Sequence, residues 1–465
     1  MTMNTLRTLT VLSLLWLASS LTWAQTTDPA RLGVNTTTPE HTLDVNGAIN
    51  IAPDSAYQIN GTPVLRTQVV NGFTNLYLGP GVGQSNTTGN RNHFSGFQAG
   101  LNNTTGRANH FIGYQAGFSN TTGTANHFSG HRAGRNNTTG VQNHFSGFEA
   151  GEANTTGEIN YFSGFRAGEA NTTGNQNHFS GYQAGRANTA GTANHFSGLQ
   201  AGRSNTTGSR NHFSGYQAGN RNTTGVQNHF SGLQAGFNNT TGNNNHFSGY
   251  QAGLNNTTGR ENVYLGYRAG VVGNFTNAIA IGANVNARGN NSVTIGNSSM
   301  TSIGGAVGWS QVSDGRFKRE VVEDVPGLEF VTRLRPVSYQ VDRAALQAFL
   351  KGEAVENGKT AQEQPRETGF IAQEVEEVAN TLGYTFNGII QPQSENDHYQ
   401  LSYATFVVPL VQAVQEQQEL IEALQAENGH LRAKVDRLEQ LESRLQALES
   451  ERLPYTTEAV SQRQP

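Results

Sequence analysis

Several residue types are absent or scarce in this chain of 465 residues. It has no cysteine, which excludes disulfide bonds, thiolate metal sites and cysteine nucleophiles. Charged residues make up only 14% and the formal net charge is −4, so the charge balance does not favour binding to nucleic acid. Glycine is abundant instead, with 55 residues. This composition predicts that much of the chain is not a conventional globular core.

Residues 1–24 have the pattern of a secretory signal peptide. Arg7 precedes a short apolar run over residues 11–18, and Ala24 is a small residue directly before the expected cut at Gln25. The run is shorter than the ~20 residues that a membrane-spanning helix needs, and no later stretch is suitable. We therefore expect a protein that is secreted or displayed at the cell surface, with no transmembrane segment after signal removal.

A 17-residue repeat occupies the centre of the chain. One position recurs every 17 residues, from Leu76 at the first unit to Val263 at the last, which makes 12 units. Such a period is typical of a stacked repeat array. The aromatic residues at the repeated position are His93, His110, His127, His144, Tyr161, His178, His195, His212, His229 and His246.

Each unit has the composition of one turn of a β-solenoid or β-roll. The short alternating segment 93–95 lies between glycine-containing stretches, and the Asn-Thr-Thr-Gly cluster at 103–106 consists of turn residues. Rungs stacked at about 4.8 Å would give a rod of roughly 60 Å. Phe94 and its equivalents should form an internal aromatic stack, with His93 and Ser95 on the opposite surface.

After Val263 the period changes to 14 residues, which relates segment 277–282 to segment 291–296. This pair resembles the β-roll repeats in the heads of trimeric autotransporter adhesins, and the resemblance implies a homotrimer. A short roll has little interior of its own, so we expect trimerisation to supply the missing burial. We assign residues 25–75 to an N-terminal lead-in segment of the fibre and residues 76–311 to the repeat rod.

Nine histidines at one rung position could bind a metal ion or titrate together. Neither a carboxylate nor a second histidine lies at ligand spacing within a rung, so we predict no metal site and no cofactor. Stacked imidazoles would repel one another when protonated below about pH 6.5. We therefore expect the rod to be less stable at pH 5 than at pH 8.

The character of the chain changes near Val312, where glycine becomes rare, charges appear and helical periodicity begins. Four motifs follow in order, at residues 313–318, 334–339, 369–375 and 399–403. With the long helix after them, they resemble the intramolecular chaperone domain of phage endosialidase tail spikes. The resemblance implies an α/β domain over residues 312–403 that trimerises, guides folding of the fibre before it and then cuts itself off.

The same resemblance implies a single-turnover serine peptidase. Ser313 and Lys318 match the serine–lysine dyad of that family, and the bond between Ser313 and Asp314 matches its cleavage site. The supporting positions implied by the resemblance are Arg316, Gln373 and Glu374.

The chemistry of such a dyad requires a neutral lysine. A serine hydroxyl is a weak nucleophile unless a base takes its proton, and desolvation must lower the lysine pKa towards about 7–8 for this role. Burial of Lys318 at a trimer interface would desolvate it, so that cleavage would follow assembly. Attack by Ser313 on its own carbonyl would need a four-membered ring, whereas attack on the preceding carbonyl forms a five-membered ring. Alternatively, the Asp314 carboxylate could form a six-membered ring, or the serine could come from another subunit.

The last part of the chain carries a heptad pattern with spacings of three and four residues. It predicts a coiled coil over residues 404–453, which the resemblance implies is trimeric, and a disordered tail over residues 454–465. The heptad positions are Val407, Leu410, Val414, Gln417, Ile421, Leu424, Asn428, Leu431, Val435, Leu438, Leu441, Leu445 and Leu448.

The predicted fold is mainly β, a trimeric β-roll or β-solenoid fibre with a C-terminal α/β chaperone domain that ends in a coiled coil. We expect an exported adhesin or tail-fibre-like homotrimer that removes its C-terminal domain by autoproteolysis, with a cell-surface glycan or another host-surface ligand as partner. The alternative is a non-cleaving trimeric adhesin whose C-terminal domain only trimerises. A glycan-degrading spike is disfavoured because residues 76–259 contain only four carboxylates, with no suitable pair.

Overall fold

The computed structural model describes residues 32–34, 43–45, 55–351, 366–392 and 397–451. The predicted signal peptide, the predicted tail and, within the lead-in segment, residues 25–31, 35–42 and 46–54 lie outside the described residues. The chain divides into two compact units, Met1–Ile295 and Gly296–Pro465. Among the helices described, none combines the length and the apolar character that a membrane crossing requires.

The first unit is a β-solenoid in which each 17-residue repeat forms one turn. Consecutive repeat strands pair in parallel and in register, so that His93 lies beside His110 and Phe94 beside Phe111. The prediction of one rung per repeat is confirmed. These strands are β6 (His93–Ser95), β7 (His110–Ile112), β8 (His127–Ser129), β9 (His144–Ser146), β10 (Tyr161–Ser163), β11 (His178–Ser180), β12 (His195–Ser197), β13 (His212–Ser214), β14 (His229–Ser231), β15 (His246–Ser248) and β16 (Val263–Leu265).

The two ends of the solenoid differ in their strand pairing. At the N-terminal end, β3 (Ala56–Ile59), β4 (Thr62–Val70) and β5 (Phe73–Leu78) form an antiparallel meander, and β5 then pairs in parallel with β6. At the other end, the 14-residue segments supply β17 (Ile279–Ile281) and β18 (Val293–Ile295), which continue the parallel ladder. A separate parallel pair is formed by β1 (Leu32–Val34) and β2 (Leu43–Val45).

A stack of phenylalanine rings fills the interior of the solenoid, as predicted. Phe94 and its equivalents are fully buried, and the ring centroids of successive turns are 4.7–4.9 Å apart. Ala99 and its equivalents are also fully buried. Gly100 is required beside this stack, because a Cβ there would lie 2.5 Å from the Phe94 ring. Burying each phenylalanine contributes about 1.5–3 kcal/mol of transfer free energy.

The first 14-residue turn packs small side chains against the preceding turn within one chain. Ala278, Ala280, Val285 and Ala287 join the same buried cluster as the phenylalanine stack. In the second 14-residue turn, Val293 is 62% exposed in the single chain. Burial of such residues by trimerisation stays a prediction.

Two columns of buried asparagines line the rest of the interior. In the first, each side-chain amide donates to the asparagine carbonyl of the preceding turn over 2.7–2.9 Å. In the second, each backbone N–H donates to the side-chain carbonyl one turn earlier over 2.8–3.1 Å. Hydrogen bonding offsets the cost of burying these amides. The first column starts at the half-buried Asn86 and the second at the fully buried Asn75.

The second unit is a small assembly of helices and short strands. Phe330, Val375, Ala379 and Phe386 form its buried core, and Phe406 packs against them. Its elements are α1 (Leu328–Arg333), β19 (Val337–Tyr339), α2 (Arg343–Lys351), β20 (Glu367–Gly369), α3 (Ala372–Thr381), β21 (Ile389–Ile390), β22 (Gln400–Leu401) and α4 (Val407–Glu451). The pairs β19–β20 and β21–β22 are antiparallel.

Helix α4 is one continuous helix of 45 residues, and its heptad side chains contact water in the single chain. Only Pro409 and Ala413, near its start, are buried. The Glu416 carboxylate accepts the backbone N–H of Leu328 at 2.6 Å and so attaches this first part to α1. The coiled coil stays a prediction, since it concerns additional chains.

Candidate functional site

A tight turn brings the serine and the lysine of the first motif together. Residues Gly315–Phe317 form a 3₁₀ turn, and the Asp314 carboxylate caps it by accepting the backbone N–H of Arg316 at 2.9 Å. The turn reverses the chain between Ser313 and Lys318. As a result, the Lys318 Nζ atom donates a hydrogen bond to the Ser313 Oγ atom at 3.0 Å.

Arg316 holds the Asp314 carboxylate beside this pair. Its Nε and Nη2 atoms donate to Asp314 Oδ2 at 2.9 Å and 2.6 Å. The hydrogen bonds from the Arg316 side chain and backbone lower the pKa of Asp314. The carboxylate is therefore ionised at neutral pH, but its oxygens are already occupied by a cation.

Ser313 and Lys318 are both exposed in the single chain. In the contact between them the lysine is the hydrogen-bond donor, whereas a general base would have to accept the serine proton. Apolar side chains near the turn are exposed as well, including Trp309 at 90%, Val312 at 88% and Phe317 at 72%. Covering this segment would remove apolar surface from water and desolvate the lysine at the same time.

The three downstream motifs contact one another. Arg335 of the second motif donates through Nε to the Glu374 Oε2 atom of the third motif at 3.0 Å. The backbone N–H of Phe370 donates to the Tyr403 hydroxyl of the fourth motif at 3.0 Å. Strands β19 and β20 join the second and third motifs through their backbones.

The two groups of candidate residues are separate in the single chain. Ser313, Asp314, Arg316 and Lys318 lie in one turn, whereas Gln373 and Glu374 lie in the first turn of α3. In the part of the chain that the structure describes, no hydrogen bond or ion pair joins the two groups. The role of Arg335 as the partner of Glu374 was missed, because a contact between residues 39 positions apart leaves no local pattern in the sequence.

A group of carboxylates on the solenoid was also missed. Carboxylate oxygens of Glu149, Glu152 and Glu169 lie within 4.8 Å of one another. The Arg166 Nε atom lies 2.7 Å from Glu149 Oε2, and the Arg186 Nε atom lies 2.6 Å from Glu169 Oε2. Because arginines from neighbouring turns occupy these oxygens, we interpret the group as ion pairing between turns.

Comparison with known proteins supports the resemblance seen in the sequence. Residues 313–384 match the family model described as chaperone of endosialidase. The match begins at Ser313 of the candidate turn and includes α1, α2 and α3. No curated protein and no solved structure matches the chain. The protein thus combines a β-solenoid with a C-terminal segment that matches the chaperone-of-endosialidase model, a combination that suggests a tail-fibre-like protein.

Proposed function

We propose that this chain forms an exported homotrimeric fibre, an adhesin or a tail-fibre-like protein, whose C-terminal segment is an intramolecular chaperone. In this proposal the segment removes itself by one cleavage near the bond between Ser313 and Asp314. The observation that supports cleavage most directly is the 3.0 Å contact between Lys318 Nζ and Ser313 Oγ. It lies at the start of the region that matches the chaperone family.

The geometry favours Ser313 over Asp314 as the nucleophile. Once neutral, Lys318 would accept the serine proton, while the serine oxygen attacks a carbonyl carbon and the C–N bond to the following residue breaks. The proton passes from Lys318 to the departing amine, and water then hydrolyses the ester, which frees the C-terminal fragment. The Asp314 carboxylate is bound to Arg316 and would have to leave that cation before attacking. Attack on the carbonyl of Val312 within one chain would give a fragment that begins at Ser313. A serine from another subunit would allow the proposed cut before Asp314.

Assembly would control the timing of this reaction. The dyad is exposed in the single chain, and so are the apolar residues around it. Packing of three chains would cover both, which favours the neutral lysine. A chain that has not assembled would keep its chaperone segment.

Two substitutions test the cleavage. We expect Ser313→Ala and Lys318→Ala to leave the chain uncut, whereas wild type releases a C-terminal fragment on folding. Ser310→Ala changes a neighbouring exposed serine outside the dyad, and should cut normally. A denaturing gel shows the cut, and N-terminal sequencing of the fragment distinguishes a start at Asp314 from a start at Ser313. Intact wild-type protein after folding would contradict self-cleavage.

The exposure of Lys318 also supports a second candidate, a trimeric surface adhesin that does not cleave. In that case the C-terminal segment would only hold three chains together. A stable trimer of uncut wild-type chains is the result that this candidate predicts.

A further inference from the structure

The outward-facing histidines of the solenoid form one column that runs from turn to turn, across the strands. The neighbouring turns place them side by side, with ring centroids 4.6–4.7 Å apart. Tyr161 takes the same position in one turn, where its ring stacks on His144 and is tilted by 30° against His178. Because Phe94 and its equivalents fill the interior, the imidazoles stay on the outer face. The serines two positions later, such as Ser95, line the same face.

No carboxylate neutralises this histidine column. An asparagine precedes each residue of the column position, and the two positions before that asparagine carry a few charged residues. They are Arg91, Arg107, Arg210, Arg260, Glu158 and Glu261. Both glutamates lie in turns without a histidine at the column position, because Glu158 precedes Tyr161 and Glu261 precedes Val263. None of the column histidines forms an ion pair in the described part of the solenoid.

The charged side chains five positions after the column residues include one carboxylate, which is paired with arginine. Five positions after the column residues lie Arg132, Glu149, Arg166 and Arg268. The Glu149 carboxylate is bound by Arg166 at 2.7 Å and has Arg132 at 4.0 Å. This glutamate is therefore not available to the imidazoles.

The column would become a stripe of like charges at acidic pH. Burial lowers the pKa of His127 below its usual value, and the neighbouring His144 lowers it further. Burial and neighbouring histidines act in the same direction on His212 and His229. Residues 76–259 also carry nine arginines against four glutamates and no lysine or aspartate, so this part of the rod is already cationic. Counter-charges for protonated histidines must come from another molecule.

We propose that the histidine face of the rod binds an acidic polysaccharide when the imidazoles are protonated. A linear carboxylated glycan presents negative charges at short intervals along an extended chain, which complements a straight column of cations. Its hydroxyl groups match the serines that line the same face. The proposal deepens the role of the rod as the binding part of the fibre, and it does not depend on cleavage.

The ring geometry argues against single-stranded nucleic acid as the ligand. Most neighbouring imidazoles are stacked, for example at 4° between His212 and His229. Each ring covers the face of the next, so the column presents ring edges to solvent. Nucleobases need exposed aromatic faces for stacking.

Binding of polygalacturonate to the full-length protein between pH 4.5 and 7.5, at constant ionic strength, tests the proposal. We expect the affinity to rise about tenfold or more towards acidic pH. A variant with glutamine at four consecutive turns should lose most of this increase. Its substitutions are His195→Gln, His212→Gln, His229→Gln and His246→Gln.

A matched control places four glutamines on the same turns but outside the column, and it should keep the pH-dependent increase. Its substitutions are Leu199→Gln, Tyr216→Gln, Leu233→Gln and Tyr250→Gln. Circular dichroism at pH 7.5 establishes that each variant is folded. Wild type alone gives an independent readout, because polygalacturonate should raise its melting temperature at pH 5 and not at pH 7.5.

Three results would overturn the proposal. They are equal affinity at both pH values, an undiminished increase in the histidine variant, and equal binding of duplex DNA with the same pH dependence. The last result would make the column a general polyanion surface. Neutral dextran should not bind at either pH. An uncut or monomeric chain that still binds polygalacturonate would refute the proposed function while supporting this inference.

Discussion

The two units of the chain bury their apolar side chains in opposite ways. In the solenoid, Phe162 lies between the rings of Phe145 and Phe179 and is fully buried within one chain. In the C-terminal unit, Leu424 and Leu438 of α4 are 57% and 64% exposed. A repeat obtains its burial from the next turn of the same chain, whereas α4 has no such neighbour. The repeated aromatic side chains of the rod are thus buried within one chain, whereas the heptad side chains of α4 are exposed in it.

The largest change in stability that tests this difference is expected when one ring is removed from the stack. Phe162→Ala leaves a cavity in a closely packed interior and should lower the free energy of unfolding of the rod by about 3–5 kcal/mol. Phe165→Ala is the matched control, because Phe165 stacks in an outer, partly exposed column of the same turn. Its cost should be about 1 kcal/mol. Denaturant unfolding followed by circular dichroism measures both, and equal losses would contradict a self-contained interior.

A smaller effect is expected for the asparagine columns. The Asn171 amide donates to Asn154 Oδ1 at 2.7 Å, and its carbonyl accepts from Asn188 at 2.8 Å. Asn171→Ala leaves these buried partners without a hydrogen bond and should cost about 1–3 kcal/mol. Thr173→Ala, at an exposed position of the same turn, should change stability by less than about 0.5 kcal/mol. Unfolding that is equally sensitive to both substitutions would show that the ladder is not needed.

The smallest effect concerns pH and should appear in the rod alone. Burial lowers the pKa of seven column histidines in the folded state, so the unfolded chain binds more protons as the pH falls below about 6.5. Stability contributed by the neutral imidazoles is present above that pH and is lost as the pH falls through their folded-state pKa values. We expect a melting temperature a few degrees lower at pH 5 than at pH 8. Identical melting at both values would exclude this contribution.

The repeat made much of the rod predictable. A fixed period identifies which residues lie beside each other in successive turns, and alternation within a strand places Phe94 opposite His93 and Ser95. The asparagine columns were missed, because an asparagine next to threonine and glycine has the signature of a turn whether or not its side chain is buried. The left-handed backbone conformation of Gln98, with φ of +54°, was also not predicted, because it follows from the packing of the whole turn.

Less of the candidate site could be derived from the residues alone. The six-residue motif at 313–318 is short enough for a turn to join its ends, and the contact between Lys318 and Ser313 has this local origin. The pairing of Glu374 with Arg335 depends on how α3 packs in the second unit, which no spacing indicates.

The most direct test of the central claim is the solution mass of the uncut protein, measured by sedimentation equilibrium. The full-length Ser313→Ala chain retains the C-terminal unit, and we predict three times the chain mass at micromolar concentration. Adding Leu424→Asp and Leu431→Asp in the heptad seam should reduce this to one chain, while the circular dichroism of the rod is retained. A single-chain mass for Ser313→Ala itself would contradict the proposal that the C-terminal unit is completed by two further copies.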